Sequence, residues 1–196
     1  MQLKEETKAK IKEYIESIVT AVILALLIRT FVIQAFKIPS GSMEDTLKIG
    51  DHLLVCKFIY GTRIPWTDII ILPITKPKRG DIVVFKYPKD PKRDFIKRCI
   101  AVPGDKVEIR NKTLYVNNQI LDESYIIHRD SFVQPPTISQ RDFFGPEIIP
   151  PDNYFMMGDN RDTSLDSRFW GCLPYNHIRG KALVKYWPPW RIGLIK

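Results

Sequence analysis

Three short segments hold the residues whose types and spacing suit covalent chemistry. The first is Phe36-Lys37-Ile38-Pro39-Ser40-Gly41-Ser42-Met43-Glu44-Asp45-Thr46-Leu47, which sets two hydroxyls around a glycine, directly after a proline and inside an apolar frame. Pro39 fixes its own φ and pushes Ile38 toward an extended conformation. Gly41 lets the backbone turn tightly where a side chain would crowd an approaching carbonyl. Such a turn can present one hydroxyl as a nucleophile beside backbone N–H groups that receive an oxyanion. Taken alone, Ser-Gly-Ser reads as an ordinary loop. Its company decides.

A serine nucleophile needs a base. His52, His128 and His177 stand in no triad context and read as solvated or core histidines. The other option is a lysine held neutral. Lys97, in Asp94-Phe95-Ile96-Lys97-Arg98-Cys99, falls on a candidate strand among apolar neighbours, and alternation sends it and Arg98 to opposite faces. To act near pH 8 it must lose roughly two units from a reference pKa of about 10.4, or about 3 kcal/mol of preference for the free amine. Desolvation in an apolar pocket can supply that. A strand lysine is more often a surface charge, so Lys97 alone decides nothing. The third segment runs from Gly158-Asp159-Asn160-Arg161-Asp162 through Ser164, Asp166, Ser167 and Arg168 to Gly171. Its alternation of acids, arginines and hydroxyls suits a sheltered polar network that positions the lysine and holds neighbouring loops. The other readings are a solvated Asp/Asn loop or a calcium site. The spacing departs from an EF-hand loop, and Arg161 and Arg168 argue against a cation.

These segments need elements to carry them. The chain has 196 residues, 44% of them hydrophobic and 11% aromatic, enough for one packed domain with a small insertion. Residues 1–17 are polar and mix Lys4, Lys8, Lys10 and Lys12 with Glu5, Glu6, Glu13 and Glu16. Residues 18–36 are largely apolar and long enough to cross a bilayer, with Arg29 placed to snorkel. A cleaved signal peptide and a buried helix compete with an anchor for this run. No small-x-small site follows it, which favours an uncleaved anchor. The lysines before the run predict a cytoplasmic N-terminus and export of residues 37–196.

Beyond the span the periodicity becomes alternating. It predicts strands over 52–58, 82–87, 94–102, 106–110, 113–116, 154–157 and 181–187, hence an all-β catalytic domain preceded by one transmembrane helix. Residues 105–150 are looser, with Pro135-Pro136 and Pro150-Pro151, and are expected to form a smaller inserted subdomain. Trp66, Trp187 and Trp190 sit in unusually apolar loops, where core packing and residence at the membrane interface are the two readings. Cys56, Cys99 and Cys172 are odd in number and widely spaced, neither a disulfide framework nor a zinc pattern. The net charge of +8 is spread along the chain and no nucleic-acid motif accompanies it, so nucleic acid is not expected as a partner.

In this order and spacing, five blocks resemble the type I signal peptidases of bacteria, membrane-anchored serine proteases that cleave signal peptides from exported preproteins. The blocks are the apolar span; Pro39-Ser40-Gly41-Ser42-Met43; Gly80-Asp81-Ile82-Val83-Val84-Phe85; Phe95-Ile96-Lys97-Arg98 with Pro103-Gly104-Asp105; and Gly158 to Asp162 with Ser164, Asp166, Ser167 and Arg168. The resemblance implies a Ser42 nucleophile, Lys97 as general base, and an oxyanion hole from the Ser42 N–H and the Ser40 hydroxyl. Ser164 would orient the Lys97 amine, with Asp166 and Arg168 supporting that loop. Ile38, Met43, Leu47, Phe95 and Ile96 would line the pocket for the residue before the cut. Phe36, Ile38, Leu53, Val84 and Ile96 would line that for the third residue before it, both suited to Ala-x-Ala. Asp45 stands where the family commonly has proline, and Cys99 where small apolar residues are usual. No metal or organic cofactor is implied. The resemblance places a monomer in the bacterial cytoplasmic membrane, crossing it once, with phospholipid and signal-peptide-bearing preproteins as partners. The rival reading is a membrane-tethered β-domain that binds peptides or scaffolds partners without cutting.

Overall fold

The computed structural model describes residues 2–63, 70–71 and 73–195. Helix α1 (Gln2–Leu27) begins in the Lys/Glu-rich stretch, where Thr20 Oγ1 bonds the Glu16 carbonyl at 2.8 Å, and continues into the apolar run. Within Lys10–Val32 an 18-residue window has a mean hydropathy of 2.1, and none of that window is buried against the rest of the chain. The final turn widens to i→i+5 geometry over Ile28–Val32. Its last carbonyls do not go begging: Lys57 Nζ donates to Arg29 O and Thr30 O, both at 3.2 Å, a cation placed where the helix dipole favours one.

The chain then becomes strand β1 (Ile33–Lys37), along which exposure alternates residue by residue. The sequence alone carries the apolar span through Phe36. Its last four residues instead pair with a neighbour, because the side-chain period changes from 3.6 to 2 at Ile33 while composition stays apolar. After it come β2 (His52–Cys56), β3 (Thr62–Arg63), β4 (Ile70–Ile71), β5 (Ile82–Tyr87), β6 (Asp90–Ala101), β7 (Lys106–Arg110), β8 (Thr113–Val116) and β9 (Gln119–Ile120). Then follow β10 (Phe144–Ile148), β11 (Asn153–Met157), the short helix α2 (Ser167–Trp170), β12 (Leu173–Pro174), β13 (Ile178–Trp187) and β14 (Gly193–Leu194). The chain is thus mostly β with one N-terminal apolar helix. The strands at 82–87, 106–110 and 113–116 have the bounds that alternation predicts. β6 and β13 start earlier, at Asp90 and Ile178.

Among the described residues, one antiparallel sheet runs β1-β2-β13-β5-β6-β11-β12, with β14 beside β13. A second sheet, β10-β7-β8-β9, lies within residues 106–148, and β3 pairs only with β4. Alternation on the central strands feeds separate cores. Ile82, Val84 and Ile96 join Ile38, Met43, Leu47 and Leu53, whereas Val83, Phe85 and Cys99 join Tyr154 and Met156. Each such large side chain contributes about 1.5–3 kcal/mol on burial. The third cluster, including Ile100, Phe155, Val107 and Ile109, locks the two sheets together. Trp187 and Trp190 are 51% and 81% exposed, which excludes the core reading for both, and Trp66 lies outside the described residues.

Candidate active site

The loop after β1 is pinned from three sides. Ile38 N donates to Asp51 O and Gly50 N to Ile38 O, each at 2.9 Å. Ser40 is extended, and Gly41–Met43 make a single 3₁₀ turn closed by Glu44 N to Gly41 O at 3.1 Å. Met43 and Leu47 drop wholly into the first core below. From the other side Asn160 grips the turn, its N–H to Ser42 O and its Nδ2 to Gly41 O, both 3.2 Å. Gly158 lets that grip form, since a Cβ there would collide with the Ser42 carbonyl and Ser164 Oγ. The Ser40 side chain makes no capping bond to its own turn, so its hydroxyl is not consumed there. The Ser42 N–H sits in the first turn, where a helical amide lacks an internal acceptor.

Lys97 arrives from β6, opposite Val83 of β5. Its Nζ lies 2.5 Å from Ser42 Oγ and 5.5 Å from the centre of the Phe95 ring. Ser42 is 8% exposed and Lys97 4%. Burial pushes the Lys97 amine down to about 8; Asp166 and then Asp159 pull it back up, and Arg168 opposes them. Two residues 55 apart in sequence therefore form a hydroxyl–amine pair with half of the amine free near pH 8.

The carboxylates nearby are spoken for by arginines. Asp159 takes Arg98 Nε at 2.9 Å and Nη2 at 2.7 Å, and also Thr46 Oγ1 at 2.6 Å. Arg98 lies over the Tyr125 ring at 3.9 Å. Asp166 takes Arg168 Nε at 2.8 Å and Nη2 at 2.9 Å, and Gly158 N at 3.1 Å. Burial works to raise the Asp166 carboxyl, yet Arg168 and the Gly158 amide hold it below the usual range. Ser164 Oγ is buried, and after Arg168 and the Gly158 amide its hydroxyl also helps hold the Asp166 carboxyl low. Arg161 pairs with Glu123 in the same interior.

A cleft of about 810 Å³ opens over Ser40, Ser42 and Lys97, walled by Phe95, Ile96 and Asn160. It continues into a small hollow lined by Phe36, Ile38, Val84, Phe95 and Ile96. Of the residues expected in the pockets, Met43, Leu47 and Leu53 are wholly buried and form the layer behind that wall. Composition marks them as apolar but does not separate a lining from the core beneath it. Sequence reasoning missed Asn160 as a brace, and Glu44 and Arg129 on the cleft rim. The histidines go elsewhere: His52 to Tyr186, His128 to Asp162 and His177 to the Lys86 carbonyl. Among the described residues no group of three or more His, Cys, Asp or Glu is placed to hold a metal.

Residues 11–187 match the sequence profile of the family described as "Signal peptidase, peptidase S26". Signal peptidase I of Pseudomonas aeruginosa is 37% identical over 207 aligned residues, spanning 91% of this chain and 72% of the relative. A probable signal peptidase I-2 of Synechocystis is 42% identical over 186, spanning 92% and 75%. A crystallographic signal peptidase I from Enterococcus faecalis overlays 55% of this chain and 97% of its own at 30% identity, with a TM-score of 0.44.

Proposed function

The chain belongs to the signal peptidases of family S26, serine endopeptidases, and from that membership we propose that it removes signal peptides from preproteins with Ser42 as nucleophile and Lys97 as general base. The observation that carries the assignment is the 2.5 Å approach of Nζ to Oγ inside a desolvated pocket.

In the reactive state the amine is neutral and the hydroxyl donates to its lone pair. Lys97 takes that proton as Ser42 Oγ attacks the scissile carbonyl carbon. The oxyanion is received by the Ser42 N–H and the Ser40 hydroxyl. The Lys97 ammonium then protonates the departing amine and an acyl-enzyme remains. Water enters, gives a proton to the free amine and attacks the ester. Collapse releases the acid and returns the proton to Ser42 Oγ. Asp166, fixed by Arg168, sits close enough to stabilise the transient ammonium without a direct ion pair that would hold it charged. Ser164, buried against Asp166, has an oxygen lone pair available to accept from that ammonium.

The residues before the cut occupy the hollow of Phe36, Ile38, Val84, Phe95 and Ile96, backed by Met43, Leu47 and Leu53. A shallow apolar pocket accepts alanine and rejects bulk sterically, consistent with an Ala-x-Ala site. The unburied apolar helix anchors the enzyme with its N-terminus in the cytoplasm and its β-domain on the exported side of the bacterial cytoplasmic membrane. Trp187 and Trp190 then rest in the interface. The test is to incubate the detergent-solubilised full chain with a preprotein and sequence the new N-terminus. A cut after Ala-x-Ala by the parent, lost in Ser42→Ala and Lys97→Ala, supports the reading; cleavage surviving either change refutes it.

A further inference from the structure

The cleft also holds a charged pair that this chemistry does not use. Glu44, two residues after Ser42, accepts a hydrogen bond from the Arg129 guanidinium, and both side chains line the cleft with Ser42 and Lys97. Gly41 makes room for it: a Cβ there would stand 3.0–3.2 Å from the Glu44 carboxylate, which folds back over the turn. Arg129 comes from the chain between β9 and β10, and that stretch is fastened beside the site. Ile127 N donates to Asp159 O at 2.9 Å, and Arg161 N donates to Ile127 O at 3.1 Å. The pair therefore bridges the nucleophile turn and a separately anchored segment.

Position along a bound peptide follows from the linings. The small hollow shares Pro39, Phe95 and Ile96 with the cleft, whereas Glu44 and Arg129 border the cleft alone. A peptide with its earlier residues in the hollow passes Ser42 and leaves along Glu44 and Arg129. The two ions are unequally presented: the Glu44 side chain is 21% exposed and that of Arg129 57%. A guanidinium carries five N–H donors, so the contact with Glu44 leaves others for a ligand. Arg93, exposed on the same cleft, adds positive charge, and Asp94, which lines both cleft and hollow, is paired with Arg179 at 3.3 Å.

We propose that Arg129, held in place by Glu44, determines specificity for the first two residues of the released chain, favouring an acidic side chain there and disfavouring a basic one. This rests on the Ser42/Lys97 reading of the cleft. The test uses the full chain in detergent and Ala-x-Ala peptides differing only by Asp, Ala or Lys at those two positions. The expected kcat/KM is about fivefold higher for Asp than for Lys, in line with a partly exposed charge contact, and the ratio shrinks as salt rises. Arg129→Glu reverses the order. The exchange Glu44→Arg with Arg129→Glu keeps an ion pair across the cleft yet also favours Lys, which separates charge reading from loss of fold. Ratios within twofold in the parent, or unchanged in both variants, overturn the inference while leaving the nucleophile assignment intact. A parent that cuts none of the peptides, or a Ser42→Ala variant that cuts them, overturns both.

Discussion

Lys97 and Arg98 stand side by side on β6 and end in opposite electrostatic settings. Arg98 reaches a carboxylate that grips it twice, over an aromatic ring, with a further bond from Nη1 to Gly80 O at 3.0 Å. Lys97 reaches a hydroxyl, and the carboxylates that attract it, Asp166 and Asp159, are each held by an arginine. Both cations are buried, and they differ in two ways: a guanidinium keeps its proton where an ammonium can lose it, and only the guanidinium has a direct counter-ion. A buried guanidinium with a bidentate counter-ion stays charged and braces the fold. A buried amine without one gives up its proton near neutrality and becomes a base. The placement of arginines around the carboxylates thus denies Lys97 a direct ion pair, which the proposed role of Lys97 as base requires.

The harshest way to break the contrast is to make Lys97 resemble its neighbour. Lys97→Arg introduces a group that stays protonated in proteins, and activity should fall by about 10⁴-fold, as in Lys97→Ala. The assay is preprotein cleavage in detergent, and retention of a tenth of the parent rate by either variant would remove Lys97 from the mechanism. Stability should move in opposite directions at the two positions. Asp159→Ala strands the Arg98 charge and costs about 3–5 kcal/mol, lowering Tm by roughly 10 °C. Lys97→Met relieves a desolvated amine and should stabilise by about 2 kcal/mol at pH 7, after allowance for the lost hydrogen bond.

The sign of that second effect has its own pH signature. The folded pKa of Lys97, about 8, lies below its ordinary 10.5. Between those values the unfolded chain holds the proton and the folded chain does not, so stability rises with pH across that window. Below about 8 both states are protonated and the whole cost of burying the charge is present. The gain from Lys97→Met should therefore be full below pH 8 and fade toward 10.5, read by denaturant melts at several pH values. Catalysis follows the same titration: kcat/KM should fall about tenfold per unit below pH 8, so that pH 6 is roughly 100-fold slower than pH 9. A flat profile to pH 5 would contradict a lysine base.

Much of this was legible in the sequence because local rules sufficed. The β5–β6 and β7–β8 strands follow from alternation between Gly, Pro and Asp breaks, whereas Ser42 and Lys97 pair through the family resemblance, since a Ser-Gly-Ser turn and one strand lysine decide nothing alone. What was hidden depends on contacts far apart in the chain. Glu44 and Arg129 are 85 residues apart, and neither has a local pattern that announces the other. Asn160 read as one polar residue among many, although its two bonds hold the nucleophile turn. Ile33–Phe36 were misassigned because composition does not register a change of period inside an apolar run. Cys99, two residues beyond Lys97 on β6, shares its side of the strand by alternation. Its thiol is wholly buried in the second core and pushed up by burial, which predicts slow labelling by thiol reagents in the folded chain.

The finest probe of the comparison is Ser164. Arg98 is gripped directly by a carboxylate, whereas on the Lys97 side the buried Ser164 hydroxyl lies against Asp166 with lone pairs to spare. A hydroxyl that donates to Asp166 can still accept a hydrogen bond, and protonated Lys97 is the donor that uses it in this reading. Ser164→Ala should then cost about 1–2 kcal/mol of stability, the weight of one hydrogen bond to the Asp166 carboxylate. The rate should fall about tenfold, with kcat lowered and KM little altered, since the missing bond forms only as the ammonium does. The rate-limiting ionisation should also move to lower pH, because the charged amine has lost an acceptor. A purely packing role predicts the same loss of stability with an unchanged rate and an unshifted pH limb.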